Sequence, residues 1–302
     1  VVGGKRSGGA RPLSRIALVT CRQLPEPDHD EELLLEALRG VGHEAVLLAW
    51  DYEGADPAEF DLCVLRSCWN YFRDPPAFLS FIDRVERTSR LMNPPAAVRW
   101  NLHKRYLAEL EAGGVPIVPT AFLERGASVE LADLLADRGW DDIVIKPSVS
   151  AASFRTRRFA AGEGREAQAF LDLLLGERDM LVQRYMESVE EAGERALVWI
   201  DGELTHAIGK SARFADQHEE VSEALPISEE DRVFAARALG GRDEELLYAR
   251  VDVVRDAAGD GVLSELELIE PSLFLKQKPR ALERLVAAIG RMATERTTSG
   301  GG

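Results

Sequence analysis

Cysteine is scarce. Cys21, Cys63 and Cys68 are the three in 302 residues. They lack a metal-ligand spacing and cannot all pair within one chain, which excludes a disulfide framework and points to a reducing compartment, with a single bridge left open. Long apolar runs are absent too: none approaches the roughly 20 residues needed to span a bilayer. The opening VVGGKRSGGARPLS lacks the apolar core of a signal peptide, so residues 1–14 read as an unfolded tail and the protein as cytoplasmic. Residues 296–302 read as a second tail. The five histidines, His29, His43, His103, His206 and His218, form no close ligand cluster. No G-x-G-x-x-G stands at the first turn, so a dinucleotide site lacks its signature. Positive charge is also in deficit. The formal net charge is -15, and the first fourteen residues carry Lys5, Arg6 and Arg11 without an acid, so the remainder is more acidic still. Such a surface repels nucleic acid and anionic membranes, but it leaves room for a small anion in a locally basic pocket.

What is present suits a soluble globular chain. Hydrophobic residues make up 45% and charged residues 29%, and the length allows two domains or one with an insertion. Residues 15–21 (RIALVTC) form a short β-rich run, followed by a helix over 30–38 that Gly40 and Gly42 stop. Strands at 44–50 and 62–65 and a helix at 75–85 complete a small parallel or mixed α/β sheet. Residues 91–95 end in Pro-Pro and suit an entry into the next unit, where Asn101 can cap a helix carrying Lys104, Leu107 and Leu110. A second section has expected strands at 118–123, 143–146, 156–159 and 180–184. Helices at 129–136 and 166–174 would cover one face of this antiparallel sheet. In the last section, 196–200 and 203–208 flank Asp201-Gly202, the clearest hairpin signal in the chain. A helix at 229–239, paired strands at 248–254 and 262–269, and a helix at 282–292 complete it.

Three strand-borne clusters can carry chemistry. In VIKPSVSAAS a strand delivers Lys146 ahead of Ser148, Ser150 and Ser153, so an ammonium, hydroxyls and backbone N–H groups can surround phosphate oxygens. The plain alternative is a strand-edge lysine beside a surface loop. In LVQRYMESVEEAGER an adenine can stack near Tyr185 and Met186, with Glu190 or Glu191 on ribose hydroxyls; a core strand with a solvated acidic connection explains the same residues. In ARVDVVRDAAGDGVLSELELIEPS, Arg250 and Asp252 share a strand face, and so do Glu265 and Glu267. Facing strands would gather three carboxylates, an oxygen-rich set that suits Mg²⁺ better than Zn²⁺. The alternation equally describes a wet sheet face. Lys210 can contact a transferring phosphoryl group or merely solubilise its strand, and His206 reads as a hairpin residue.

Taken together, LVTCRQLPEPDHDEELL, VLRSCWNYFRDP, NPPAAVRWNLHKRYL, VIKPSVSA, LVQRYM, YARVDVV and ELELIEPSLFL resemble the ATP-grasp ligases. Within them the chain is similar to the glutathione-synthetase-like branch and to the cyclo-ligase that forms cycloserine from O-ureidoserine. The resemblance runs from about Arg15 to Arg291. It implies an α/β fold with an N-terminal α/β domain at 15–117, a central α+β lid at 118–184 and a C-terminal α+β catalytic platform at 185–295. By the same resemblance Lys104 and Lys146, with Ser150, hold ATP phosphates, and Gln183, Tyr185 and Met186 line the adenine side, with Glu190 or Glu191 near ribose. Asp252, Glu265 and Glu267 would organise Mg²⁺, while Arg250 would stabilise the transferring phosphate. Two departures stand out: Glu267 replaces a frequent asparagine, and Ser and Ala replace frequent glycines after Lys146.

The N-terminal domain is then expected to supply much of the substrate wall. Arg66, Ser67, Asn70 and Tyr71 come after a strand in a polar and aromatic loop suited to a small charged molecule. Asp28 and Asp30 can bind an amino group or cap a helix, and Arg195 and Ser272 can hold an acceptor carboxylate. The expected activity is an ATP- and Mg²⁺-dependent carboxylate–amine ligation through an acyl phosphate, on one intramolecular substrate or two small ones. A kinase on the same platform, or a non-catalytic nucleotide binder, is the competing reading. Homo-oligomer formation is left open.

Overall fold

The computed structural model describes residues 13–211 and 220–295. The expected tails over 1–12 and 296–302, and His218, lie outside the described residues. Leu13 and Ser14, placed by the sequence in the first tail, are already paired: Leu13 N–H donates to Gly42 O and Ser14 O accepts from Glu44 N–H.

The first sheet contains β1 (Arg15–Thr20), β2 (Glu44–Ala49), β3 (Leu62–Leu65) and β4 (Arg90–Met92). Its order is β2-β1-β3-β4 and every pairing is parallel. Both faces are covered, which is why β1 is apolar without alternation. Ile16 and Leu18 pack on Leu34 and Leu38 of α1 (Glu31–Gly40), while Ala17 and Val19 pack toward Phe78 and Phe81 of α2 (Pro75–Thr88). The expected entry segment at 91–95 thus begins inside a fourth parallel strand, too short for its periodicity to register. Cys21, Cys63 and Cys68 are all buried and free.

Two short helices come next, α3 (Pro95–Asn101) and α4 (Tyr106–Ala112). Asn101 ends α3 and caps nothing. Its buried amide donates to Leu266 O (2.8 Å) and accepts from Leu268 N–H (2.8 Å), an extra rung that covers the edge of the chain's last strand. Lys104 consequently lies in the turn between the helices, not within one.

The second sheet is antiparallel, in the order β5-β8-β6-β7: β5 (Thr120–Leu123), β6 (Ile143–Pro147), β7 (Arg157–Phe159) and β8 (Met180–Arg184). As the patterning implied, α5 (Leu131–Arg138) and α6 (Gly164–Leu175) cover one face, through Leu131, Leu171 and Leu174 on Ile145 and Val182. The one-turn helix α7 (Ser188–Glu191) leads on to the third sheet.

That sheet, also antiparallel, has the order β10-β9-β11-β12, from β9 (Glu194–Ile200), β10 (Glu203–Lys210), β11 (Tyr248–Arg255) and β12 (Gly261–Glu267). Asp201 (φ 46°) and Gly202 (φ 83°) both take positive φ, the geometry a two-residue hairpin turn requires. His206 lies in this hairpin, buried on β10. Helix α8 (Glu229–Leu239) packs on the same core, and α9 (Pro279–Thr294) packs against α1 and β9.

Strand β12 ends at Glu267, two residues before its expected end, because side chains of the first unit, with Tyr248 of β11, claim the residues just beyond it. Tyr248 Oη donates to Ile269 O (2.9 Å), Trp69 Nε1 to Glu270 O (2.9 Å) and Arg66 Nη2 to Pro271 O (3.0 Å). The Asp30 carboxylate accepts from Leu273 N–H (3.0 Å) and Leu275 N–H (2.8 Å).

Candidate active site

The second sheet overhangs the third across a cleft. Lysine occurs at six positions in the chain, and three of them, Lys104, Lys146 and Lys210, line this cleft while almost wholly buried. The register of the β11–β12 hairpin sets their partners. Asp252 pairs with Glu265 and Arg250 with Glu267 across the ladder. Side chains two apart on a strand share a face, so all four point into the cleft.

Cations hold each carboxylate. Lys104 Nζ lies 2.8 Å and Lys146 Nζ 3.6 Å from opposite oxygens of Glu265. Asp252, 2% exposed, accepts from Arg250 Nε (2.9 Å), Arg250 Nη2 (2.8 Å) and Lys210 Nζ (2.8 Å). Arg250 also bonds Glu267, and Lys210 reaches Glu194 at 2.5 Å. Lys104 is fixed further by donating to Ser150 O (2.8 Å).

Burial sets the protonation balance. It opposes ionisation of Asp252 and Glu265, but Arg250 with Lys210, and Lys104 with Lys146, outweigh it and hold both carboxyls below their ordinary range. Burial prevails at Glu267, pushed up to about 7, and at Glu270, pushed up to about 8. Burial also pushes the Lys146 ammonium down, against the opposing pull of Glu265.

The sequence expected Asp252, Glu265 and Glu267 to come together as one Mg²⁺-ATP centre, completed by water and phosphate. Among the described residues no three such groups stand together as a ready metal site, because each is turned toward a cation. Their chemistry still fits a hard ion. The described lining of the cleft offers carboxylates and hydroxyls and neither Cys nor His, a donor set for Mg²⁺ that phosphate oxygens would have to complete.

At the other end Val118, Val144, Val254 and Met186 make an apolar slot beside Gln183 and Tyr185. Ser150 and Ser272 also reach the cleft. Glu190 and Glu191 do not line it. Glu190 is exposed and takes Arg158 Nη1 (2.6 Å) and Tyr185 Oη (3.1 Å), and Glu191 is exposed on α7.

The expected substrate residues fare worst. Arg66 is buried under Pro271 and over the Tyr248 ring. Ser67 donates to Asp28, Asp30 is spent on backbone, and Asn70 bridges Trp50 (2.7 Å) and Asp51 (2.8 Å). None of these five lines the cleft, nor does Tyr71, although its hydroxyl lies 3.5 Å from Ser150 O. Arg195 points to the opposite face of β9 and chelates Asp231 at 3.0 and 2.8 Å. Its neighbour Glu194, which no sequence motif marked, takes the inward position. Hairpin register could have found it, since Glu194 is the cross-strand partner of Lys210. Glu270 and Trp69 were equally unmarked as site residues, although both lie in segments that carry the family resemblance.

The loop after Lys146 keeps glycine-like geometry without glycine. Ala152 (φ 48°), Ser153 (φ 55°) and Arg155 (φ 50°) sit in the left-handed region, at a cost of about 1 kcal/mol each. Stacking of Phe154 on Phe72, with ring centroids 4.3 Å apart, pins the loop to the first unit. Lys210 has a comparable constraint below it. A Cβ on Gly193 (φ 69°) would stand 2.5 Å from Lys210 O. Gly193→Ala is therefore expected to cost about 1–3 kcal/mol and to lower ATP turnover by displacing Lys210. Turnover and unfolding midpoint both equal to the parent's would show that contact to be harmless.

A cleft between two antiparallel sheets, lined by buried lysines and carboxylates, is the architecture of the ATP-grasp ligases, and solved structures share it. D-alanine–D-alanine ligase from Bacillus anthracis, complexed with ATP, matches with a TM-score of 0.66 at 16% identity, over 93% of this chain and 97% of that one. The crystal structure of D-cycloserine synthetase DcsG matches with a TM-score of 0.84 at 34% identity, over 92% and 99%. The family described as D-cycloserine synthetase DcsG, N-terminal domain, matches residues 16–93. "Cycloserine biosynthesis protein DcsG" of Streptomyces lavendulae is 36% identical over 276 residues, 86% of this chain and 92% of that protein. On this identity and coverage, the chain belongs to the D-cycloserine synthetase family of ATP-grasp ligases. No helix among the described residues is long and apolar enough to cross a membrane.

Proposed function

We propose that the protein uses Mg²⁺-ATP to activate the carboxylate of an amino-acid-like substrate and closes it onto a nitrogen of the same molecule, giving a cycloserine-type ring. The observation that carries this reading is the convergence of Lys104, Lys146, Lys210 and Arg250 on the carboxylates of one cleft. Similarity to D-cycloserine synthetase over nearly the whole chain favours ring closure over joining two molecules.

In this reading the adenine lies in the slot by Gln183, Tyr185 and Met186, and Lys104, Lys146 and Ser150 hold the phosphates. Asp252, Glu265 and Glu267 would hold Mg²⁺, which supplies charge neutralisation across ATP oxygens when bound. A substrate carboxylate oxygen attacks the γ-phosphorus, the bond to the β–γ bridging oxygen breaks, and ADP leaves. Lys146, Arg250 and Lys210 offset the charge that spreads over the transferring oxygens. The nitrogen then attacks the acyl carbon, phosphate departs and the nitrogen loses its proton. The loop pinned by Phe154 would screen the acyl phosphate from water.

Mass spectrometry of reactions with Mg²⁺-ATP and D- or L-O-ureidoserine tests this directly. ADP together with a ring-closed product is expected: N-carbamoylcycloserine, one water lighter than the substrate, or cycloserine itself once water removes the carbamoyl group as ammonia and carbon dioxide. ADP with a stable phosphorylated substrate would identify a kinase instead, and absence of ADP across amino-acid-like substrates would leave only nucleotide binding.

A further inference from the structure

The four third-sheet carboxylates that line the cleft each stand against a cation: Glu194 against Lys210, Asp252 against Lys210 and Arg250, Glu265 against Lys104 and Lys146, and Glu267 against Arg250. Glu270 differs. It lines the same cleft and is 8% exposed. Among the described residues no cation stands within ion-pair distance of it, and the side chain beside its carboxyl is the neutral Tyr71.

Its backbone is clamped on both sides. Trp69, Arg66 and Tyr248 hold the carbonyls of residues 270, 271 and 269, and Asp30 holds the N–H groups of Leu273 and Leu275. A buried carboxylate without a counter-charge is costly. Here the chain is fixed so that the carboxyl stays at the cleft.

We propose that Glu270, backed by Tyr71 and flanked by Trp69, is the subsite that binds the ammonium group of an amino-acid substrate. This deepens the ligase reading and rests on it for the orientation of the substrate. In an α-amino acid one carbon separates ammonium from carboxylate. An ammonium on Glu270 therefore leaves the carboxylate in the cleft that Lys104 also lines, with the Lys104 ammonium against Glu265 and Ser150 O. Residues 28 and 30, the acids that the sequence offered for this role, are committed to Ser67 and to backbone. The raised pKa of Glu270 has the same origin, burial and then the charge of Glu267, and a bound ammonium would reverse it.

D-Serine and D-glycerate separate this group from the rest of the substrate, since they share a carboxylate and a hydroxymethyl group and differ in ammonium against hydroxyl. Calorimetric titration of the Mg²⁺-saturated protein with a non-hydrolysable ATP analogue present should show serine preferred. In Glu270→Gln, serine affinity should fall about tenfold to a hundredfold, the loss expected for a charge-assisted hydrogen bond, and the preference should vanish. Affinity for the ATP analogue should stay within about twofold. Equal binding of the two probes by the parent protein, or a preference kept in Glu270→Gln, overturns the assignment. If Glu270→Gln loses nucleotide binding as well, Tyr71→Phe decides: a reduced preference supports the subsite and an unchanged one rejects it. The ligase reading is judged separately by ADP release with O-ureidoserine. No ADP alongside an intact serine preference would sink that reading and leave the ammonium site standing.

Discussion

Lys146→Ala should lower ATP turnover by about 10²- to 10³-fold, the usual effect of removing one preorganised electrostatic group at a transition state, while the protein stays folded. Lys146 Nζ lies 3.6 Å from Glu265, whereas Lys104 Nζ lies 2.8 Å from it. Without Lys146, Glu265 keeps its closer partner, so no buried carboxylate is abandoned. The ammonium is itself costly to bury, as its lowered pKa records. Its retention at the mouth of the loop is therefore better explained by an incoming anion than by stability. Stopped-flow nucleotide binding beside thermal unfolding separates the two effects. Normal turnover in the folded variant would reject the phosphate role of Lys146.

Asp252→Asn should act on both fold and chemistry. Asp252 is the shared acceptor of Arg250 and Lys210 at the floor of the cleft, and neutralising it leaves two buried cations undercompensated. Breaking such a pairing from one side costs about 3–5 kcal/mol, and turnover should fall with the loss of the proposed Mg²⁺ contact. Glu267→Gln provides the contrast. Its side chain is 23% exposed, and Arg250 keeps Asp252, so stability should fall much less while metal dependence still changes. Denaturant unfolding and Mg²⁺ titration of turnover on the two variants test the pair. Unchanged turnover and metal dependence in both would sink the proposed centre, and an unchanged unfolding midpoint in Asp252→Asn would show that the ion network does not stabilise the fold.

Local patterning determined much of this architecture. The Asp201-Gly202 turn, the β11–β12 pairing and the covered face of the second sheet arise from periodicity and turn chemistry, which act over a few residues. The same short range made Arg250, Asp252, Glu265 and Glu267 legible as candidates, because i,i+2 spacing fixes a strand face whatever surrounds it; Lys146 was marked by the small polar residues after its strand, and Lys104 by the family resemblance. Partners were not legible. Only the folded chain turns the three carboxylates to lysines and arginine instead of to one another, since that choice depends on charges brought together from distant segments. The substrate wall was illegible for a similar reason. Arg66, Ser67 and Asn70 look like ligand groups in a polar loop, yet long-range packing uses Arg66, with Trp69, to clamp the turn after β12, while Ser67 and Asn70 bond within the first unit. Sequence offered Asp28 and Asp30 for an amino group, yet the fold commits them to Ser67 and to the backbone N–H groups of Leu273 and Leu275, and leaves the Glu270 carboxylate lining the cleft. That difference depends on which distant segments meet, and no local spacing records it.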